Sequence, residues 1–248
     1  MTIRRDIECF HLLFCKAFLS AQDKTLIVLK GGCNLRFFLG SDRYSEDIDF
    51  DVEQIAKETL RKRVEKVLAG QGLKTSLAAF KVTLLSHSAP RQTDTVQRWK
   101  VMLRVQGLEV PSKIEFSRRG IHHESVVFET VDPLVMNSYR LPPSFLAHYS
   151  AGSAILQKLE ALALRAETQA RDIYDLGHLV ARYPKHLTQK VDKKLSAQAL
   201  DSALSVDFDQ FNGQVVEYLE GDSKAFYEER INWEKLQGRV VELIEGLR

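Results

Sequence analysis

The pattern of apolar and polar positions changes character partway along the chain. Over the first 130 residues it mixes two periods, whereas beyond Asp132 the apolar residues recur at helical spacing, so the chain reads as an α+β front followed by an α-helical back. The pattern predicts an amphipathic first helix in MTIRRDIECFHLLFCKAFLSAQD, then a strand over Thr25–Leu29, a short helix over Cys33–Leu39 and a strand over Asp47–Val52. A helix follows over Gln54–Leu68, ended by Gly70 and Gly72. Strands are expected at Leu73–Leu85, Val96–Val105 and Ser112–Phe116, with a loop at His87–Asp94 around Pro90 and a short strand in Glu124–Val131. Pro133, Pro142 and Pro143 punctuate the chain between Val131 and Ser150, which places the boundary of two domains near residues 1–140 and 141–248. The helical back is expected at residues 153–167, 171–183, 196–204, 208–220 and 233–247.

One stretch breaks the ordinary pattern. In KGGCNLRFFLGSDRYSEDIDFDV, two glycines end the apolar run Leu26–Leu29, and then Asp47, Asp49 and Asp51 alternate with Ile48, Phe50 and Val52. On a strand, residues two apart share a face about 6.6 Å apart, so the acids point one way and the apolar residues the other. Like charges about 4 Å apart repel by about 1 kcal/mol in water and about 4 kcal/mol at an effective dielectric of 20, so a cation is needed to offset them. A hard divalent ion such as Mg²⁺ takes carboxylate oxygens, keeps several waters and completes its shell with substrate phosphates. Gly31 and Gly32 let backbone N–H groups approach a phosphate at the start of the following helix, and Lys30 adds a charge. An Asp-rich strand alone reads more readily as a sheet edge guarded against aggregation. The glycine pair, a gap of fourteen residues and then Asp-Ile-Asp-Phe favour an anion-plus-metal site.

Composition narrows the class without identifying it. The chain has 248 residues, 44% of them hydrophobic and 27% charged, and no apolar run long enough to span a bilayer, which excludes a helical membrane protein. The start carries no uninterrupted apolar segment of signal-peptide type. Cys9, Cys15 and Cys33 make no CxxC pair, and a reducing cytoplasm suits them best. A net charge of +2 does not by itself announce nucleic-acid binding, and the basic clusters at Arg61–Arg63, Arg98 to Arg104, Arg118-Arg119 and Lys193-Lys194 read singly as solvated faces. The histidines, His122, His123 and His178 among them, lack metal-ligand spacing. Tyr139, Tyr149, Tyr174 and Trp99 are core or rim residues that could stack on bases.

Gly-Gly followed by Asp-Ile-Asp-Phe resembles the signature of the nucleotidyltransferase fold shared by DNA polymerase β, antibiotic nucleotidyltransferases and CCA-adding enzymes. The fuller string, KGG-x-N-L-R and then R-x-S-E-D-I-D-F-D, is similar to the AbiEii/AbiGii toxin family, whose mycobacterial relatives are the MenT toxins. The resemblance covers residues 26 to about 180. It implies an N-terminal nucleotidyltransferase-fold mixed sheet with flanking helices, a C-terminal helical domain and an active site in the cleft between them. It further implies Mg²⁺ or Mn²⁺ on Asp47 and Asp49, with a third carboxylate from a later strand; Glu115, outward between Ile114 and Phe116, is the candidate. Lys158, in Lys158-Leu159-Glu160-Ala161-Leu162-Ala163-Leu164-Arg165, matches the family's K-L-x-A-L-x-x-R helix and is implied to contact the nucleoside triphosphate. Asp172, in Arg171-Asp172-Ile173-Tyr174-Asp175, is implied to support catalysis, while Asp175 pairs readily with Arg171 four residues earlier. Ser45 matches the family's S-x-D serine, as a phosphate ligand or a turn former beside Asp47. Asp51 shares the acidic face but lies past the motif.

The implied activity is transfer of NMP from an NTP to an acceptor hydroxyl, with tRNA or another RNA as acceptor and a cognate antitoxin as partner. A small-molecule acceptor such as an antibiotic, or a nucleotide- or RNA-binding protein without catalysis, would carry a similar signature.

Overall fold

The structure, a computed structural model, describes residues 2–20, 24–186 and 191–247; residues 21–23, at the end of the expected first helix, lie outside that range. In chain order the elements are α1 (Ile3–Leu19), β1 (Ile27–Lys30), α2 (Gly31–Phe38), β2 (Asp47–Val52), α3 (Lys57–Ala69), α4 (Gln71–Ala78), β3 (Val82–Gln92), β4 (Val96–Val105), β5 (Leu108–Ser117), β6 (Val126–Thr130), α5 (Pro133–Ser138) and β7 (Phe145–Tyr149). Helices α6 (Ala151–Leu164), α7 (Ala170–Arg182), α8 (Lys193–Ser205), α9 (Phe208–Gln214), α10 (Gly221–Tyr227) and α11 (Arg230–Gly246) follow. The chain divides into two compact units, Met1–Gly40 with Tyr44–Tyr149, and Ser41–Arg43 with Ser150–Arg248.

The first unit is a seven-stranded mixed sheet in the order β3-β4-β5-β2-β1-β7-β6. Strands β2 and β5 run parallel at its centre, as do β1 and β7, and the other pairs are antiparallel. One face is covered by a core that joins α1 to the sheet: Phe18 lies 5.4 Å from Phe116, which stacks on Phe50 at 5.0 Å and meets the edge of Trp99. Ile48, Phe50, Ile114 and Phe116 are fully buried there, so strand alternation forces Asp47, Asp49 and Glu115 onto the opposite face. Helix α1 is buried beyond a single stripe. Its polar residues are sequestered too, with Glu8 receiving Arg36 at 2.7 Å and the Tyr139 hydroxyl at 3.0 Å.

Two expectations are corrected. Residues 71–78 of the expected strand 73–85 form α4, where Leu73 and Leu77 bury one helical face; Gly72 lies inside that helix and Gly70 alone separates it from α3. Strand β3 starts at Val82 and runs through the expected loop 87–94 to Gln92, with register irregularities on either side. Pro90 is tolerated because β3 lies at the edge of the sheet. The first unit runs to Tyr149, because Phe145–Tyr149 is a strand paired to β1 and β6.

The second unit is helical. Trp233 of α11 stacks on Phe211 of α9 at 4.4 Å, and Ile173, Leu176, Leu179, Leu236, Val240 and Ile244 are buried. Gly177 lets α7 and α11 approach closely: a Cβ there would lie 2.4 Å from Leu236 Cδ1 and 3.3 Å from Val240 Cγ2.

Candidate active site

The acidic face of the sheet gathers Asp47, Asp49 and Glu115, three of the residues the sequence singled out. Parallel pairing sets Asp49 opposite Glu115 and Asp47 opposite Lys113, while antiparallel pairing sets Lys30 opposite Asp49. Each outer carboxylate has a cation: Lys113 Nζ lies 2.6 Å from Asp47 Oδ2, and Arg98 Nε donates to Glu115 Oε2 at 2.6 Å. Asp49, between them, receives no hydrogen bond or ion pair from the described residues. Burial, then the charges of Asp47 and Glu115, push its carboxyl up to about 6, against the pull of Lys30 and Lys113.

Gly31 explains why that carboxylate sits where it does. Its φ of +67° favours glycine, and a Cβ would fall 2.8 Å from Asp49 Oδ2, so the backbone at the start of α2 rests against Asp49. Gly32 is the next residue of the same first turn, and the N-cap residue Lys30 makes no side-chain cap bond, which leaves the leading N–H groups of α2 without that partner. Lys30 Nζ lies 2.6 Å from Asp51 Oδ1, and Asp51 Oδ2 accepts the Tyr149 hydroxyl at 2.7 Å. Asp51 is buried, so it anchors Lys30 instead of facing solvent.

The backbone at the start of β2 is held from beneath. The Asp47 carbonyl accepts from Ser45 Oγ at 2.8 Å and Cys33 Sγ at 3.3 Å, and the Glu46 carbonyl accepts from Ser112 Oγ at 2.7 Å. His11 Nε2 donates to Ser112 Oγ at 2.9 Å, and its Nδ1 lies 3.6 Å from Cys33 Sγ. Burial lowers the His11 imidazole to about 3, so it is neutral. Ser45 Oγ thus bonds the backbone two residues on, beside the acidic strand.

In the second unit, Lys158, Asp172 and Asp175 form one buried cluster. Lys158 Nζ lies 3.0 Å from Asp172 Oδ1 and 2.6 Å from Asp175 Oδ2. Asp175 does not pair with Arg171: Arg43 grips it through two nitrogens, at 3.0 and 2.8 Å. Burial alone would raise the Asp175 carboxyl, but Arg43 and Lys158 hold it well below the usual carboxylate range. Arg165 Nε is 2.9 Å from Asp172 Oδ2, an ion-pair distance not aligned for a hydrogen bond. Three cations against two carboxylates leave the cluster one positive charge. Asp172 is fully buried, which makes it a group that positions Lys158.

Sequence reasoning missed Lys113, Arg98 and Arg43. The first was signalled by its place two residues before Glu115 on the same strand face; Arg98 depends on strand register and Arg43 on a contact 132 residues long. Arg118, from one of the basic clusters, donates to Gln97 Oε1 and the Ile55 carbonyl. Trp99, Tyr139, Tyr149 and Tyr174 are all core residues.

The oxygen-only set of Asp47, Asp49 and Glu115 suits a hard divalent cation in its chemistry. Among the described residues no three ligating side chains already converge as a metal cage, since Lys113 and Arg98 draw the outer two carboxylates. The buried Asp49 carboxyl, raised by its burial and then by the charges of Asp47 and Glu115, is the observation that fits a cation here.

A mixed sheet carrying Gly-Gly at a strand–helix junction and an acidic strand beside a third carboxylate defines a nucleotidyltransferase. The chain belongs to the nucleotidyl transferase AbiEii toxin family of type IV toxin–antitoxin systems, whose model matches residues 11–243, well beyond the span from 26 to 180 that its motifs cover. Among solved structures it is similar to JHP933 from Helicobacter pylori, at 18% identity over 99% of this chain and 95% of that one with a TM-score of 0.58. It is also similar to MenT4, a nucleotidyltransferase toxin from Mycobacterium tuberculosis, at 16% identity over 98% and 90% of the two chains with a TM-score of 0.57. At these identities the likeness is one of fold. No curated protein matches the chain.

Proposed function

We propose that the protein transfers NMP from an NTP to the 3′ end of an RNA, with tRNA the favoured acceptor, and that this transfer is its toxic activity, restrained by a cognate antitoxin in the cytoplasm. The observation that carries the reading is the register that sets Asp49 against Glu115, with Asp47 on the same face and the Gly31 backbone against the Asp49 carboxylate. Mg²⁺ or Mn²⁺ held by Asp47, Asp49 and Glu115 would supply charge neutralisation at the phosphates and a more acidic acceptor hydroxyl.

The chain's own groups do the rest. Gly31 and Gly32 offer the N–H groups of the α2 first turn to phosphate oxygens, beside the charge of Lys30 that Asp51 fixes. Lys158 is assigned to the triphosphate as a point charge, oriented by Asp172 and Asp175, in a cluster whose net positive charge suits an anion. Glu115 takes the proton of the acceptor hydroxyl as its oxygen bonds to the α-phosphorus; the α–β bridging bond breaks and pyrophosphate leaves. A metal-supported in-line displacement of this kind needs no covalent enzyme intermediate.

The test is to incubate the protein with Mg²⁺, each α-labelled NTP in turn and total tRNA, with small-molecule acceptors in parallel. Label on RNA with the intact protein supports the reading. Label confined to small molecules overturns the RNA acceptor, and label on no acceptor with any nucleotide or either metal overturns the transfer reaction.

A further inference from the structure

The outward face of β3, β4 and β5 carries a groove of about 680 Å³ that begins at Asp47. Its lining follows the strand register in rows. Lys100 stands directly opposite Lys113, and two residues along, about 6.6 Å away, Met102 stands opposite Pro111. On the other side of the lysine row, Arg98 stands opposite Glu115. An apolar row, a cationic row and the row with the third carboxylate therefore succeed one another along the strands.

Two lysines in direct opposition repel across a sheet. Lys113 is offset by Asp47, but exposed Lys100 has no hydrogen-bonded or ionic partner among the described residues. Ser88, the partner of Lys100 on β3, adds a hydroxyl beside it. Met102 is half-buried and Pro111 exposed, an apolar step between the lysine row and the Arg104–Glu109 row of an otherwise polar face. An anion on the lysine row with a flat apolar group next to it matches the phosphate and base of one nucleotide.

We propose that this groove is the acceptor subsite: the last phosphodiester of the RNA lies on Lys100 and Lys113, the preceding base rests on Met102 and Pro111, and the terminal ribose is thereby directed to the Glu115 row. The assignment rests on RNA being the acceptor, as proposed above. The groove reaches β3, the edge strand, so a bound chain can leave the site along it. That suits a polynucleotide end better than a compact small molecule. Phosphate contact by an exposed lysine carries affinity and salt dependence but no base preference.

The experiment measures KM for tRNA, KM for the NTP and the salt dependence of transfer in wild type, Lys100→Ala, Lys100→Arg and Met102→Glu, with melting curves to verify folding. Lys100→Ala is expected to raise the RNA KM about tenfold, the worth of one charge-assisted hydrogen bond. The same change should flatten the log–log salt slope by about one and leave the NTP KM unchanged. Lys100→Arg should restore both values, and Met102→Glu should raise the RNA KM alone. If wild type labels RNA and the RNA KM is unchanged in Lys100→Ala and Met102→Glu, the subsite is wrong while the RNA reading stands. If wild type labels only small acceptors, the RNA reading fails and the subsite with it.

Discussion

His11 shows how a single buried side chain links the core to the acidic strand. It is neutral in the folded protein, with burial holding its imidazole near 3, and it bonds the serine that holds the Glu46 carbonyl. An unfolded histidine titrates near 6.5, so between about 6.5 and 3 the unfolded chain binds the extra proton. The stability this residue contributes is therefore complete above pH 6.5 and is lost as pH falls, by up to about 1.4 kcal/mol per pH unit. Melting curves from pH 7 to 4 should show a shallower acid loss in His11→Asn than in wild type, and parallel curves would contradict the assignment. None of this was legible beforehand, because His11 reads as an interruption of an apolar helix until the sheet is placed against it. The alternation of Asp47, Asp49 and Asp51 was legible, since period two is a local property of a strand. The distinct duty of Asp51 was not, because its partners Lys30 and Tyr149 arrive from two other strands.

At the scale of elements, the junction between β1 and α2 is the tightest constraint near the site. Gly31→Ala would force a Cβ into the left-handed region at a cost of about 1–2 kcal/mol and press it against Asp49. Melting should register that modest loss while transfer falls about a hundredfold from the misplaced carboxylate; wild-type kinetics in the variant would contradict the role given to the junction. In the helical unit, Asp175→Ala removes the two-nitrogen carboxylate contact of buried Arg43 and one of the two carboxylates on Lys158. A loss of about 3–5 kcal/mol in denaturant unfolding is expected, well above that of an exposed pair. The strand–helix–strand run at 27–52 and the two helices between 151 and 182 were readable because their apolar periods are clean, whereas the expected helix 208–220 stops at Gln214 and α10 was not expected. Residues 71–92 were not: Leu73 and Leu77 fit a short helix or a strand, Gly72 looks like a stop, and Pro90 argues for a loop unless the strand is known to lie at an edge.

For the whole molecule, membership of the AbiEii family rests on a match from residue 11 to 243, spanning both units. Among the described residues no helix is long and apolar enough to cross a membrane. A net charge of +2 is too small to hold RNA by bulk attraction, so the proposed RNA binding would have to come from local contacts whose salt dependence is countable. The central claim is that Asp47, Asp49 and Glu115 carry nucleotidyl transfer, and its most direct test is the rate of α-labelled NMP incorporation into tRNA by wild type and Asp49→Asn under the same Mg²⁺ and NTP. The account predicts incorporation by wild type and a fall of about 10²–10³-fold or more in the variant, with melting behaviour preserved. Equal incorporation by the two proteins would contradict it.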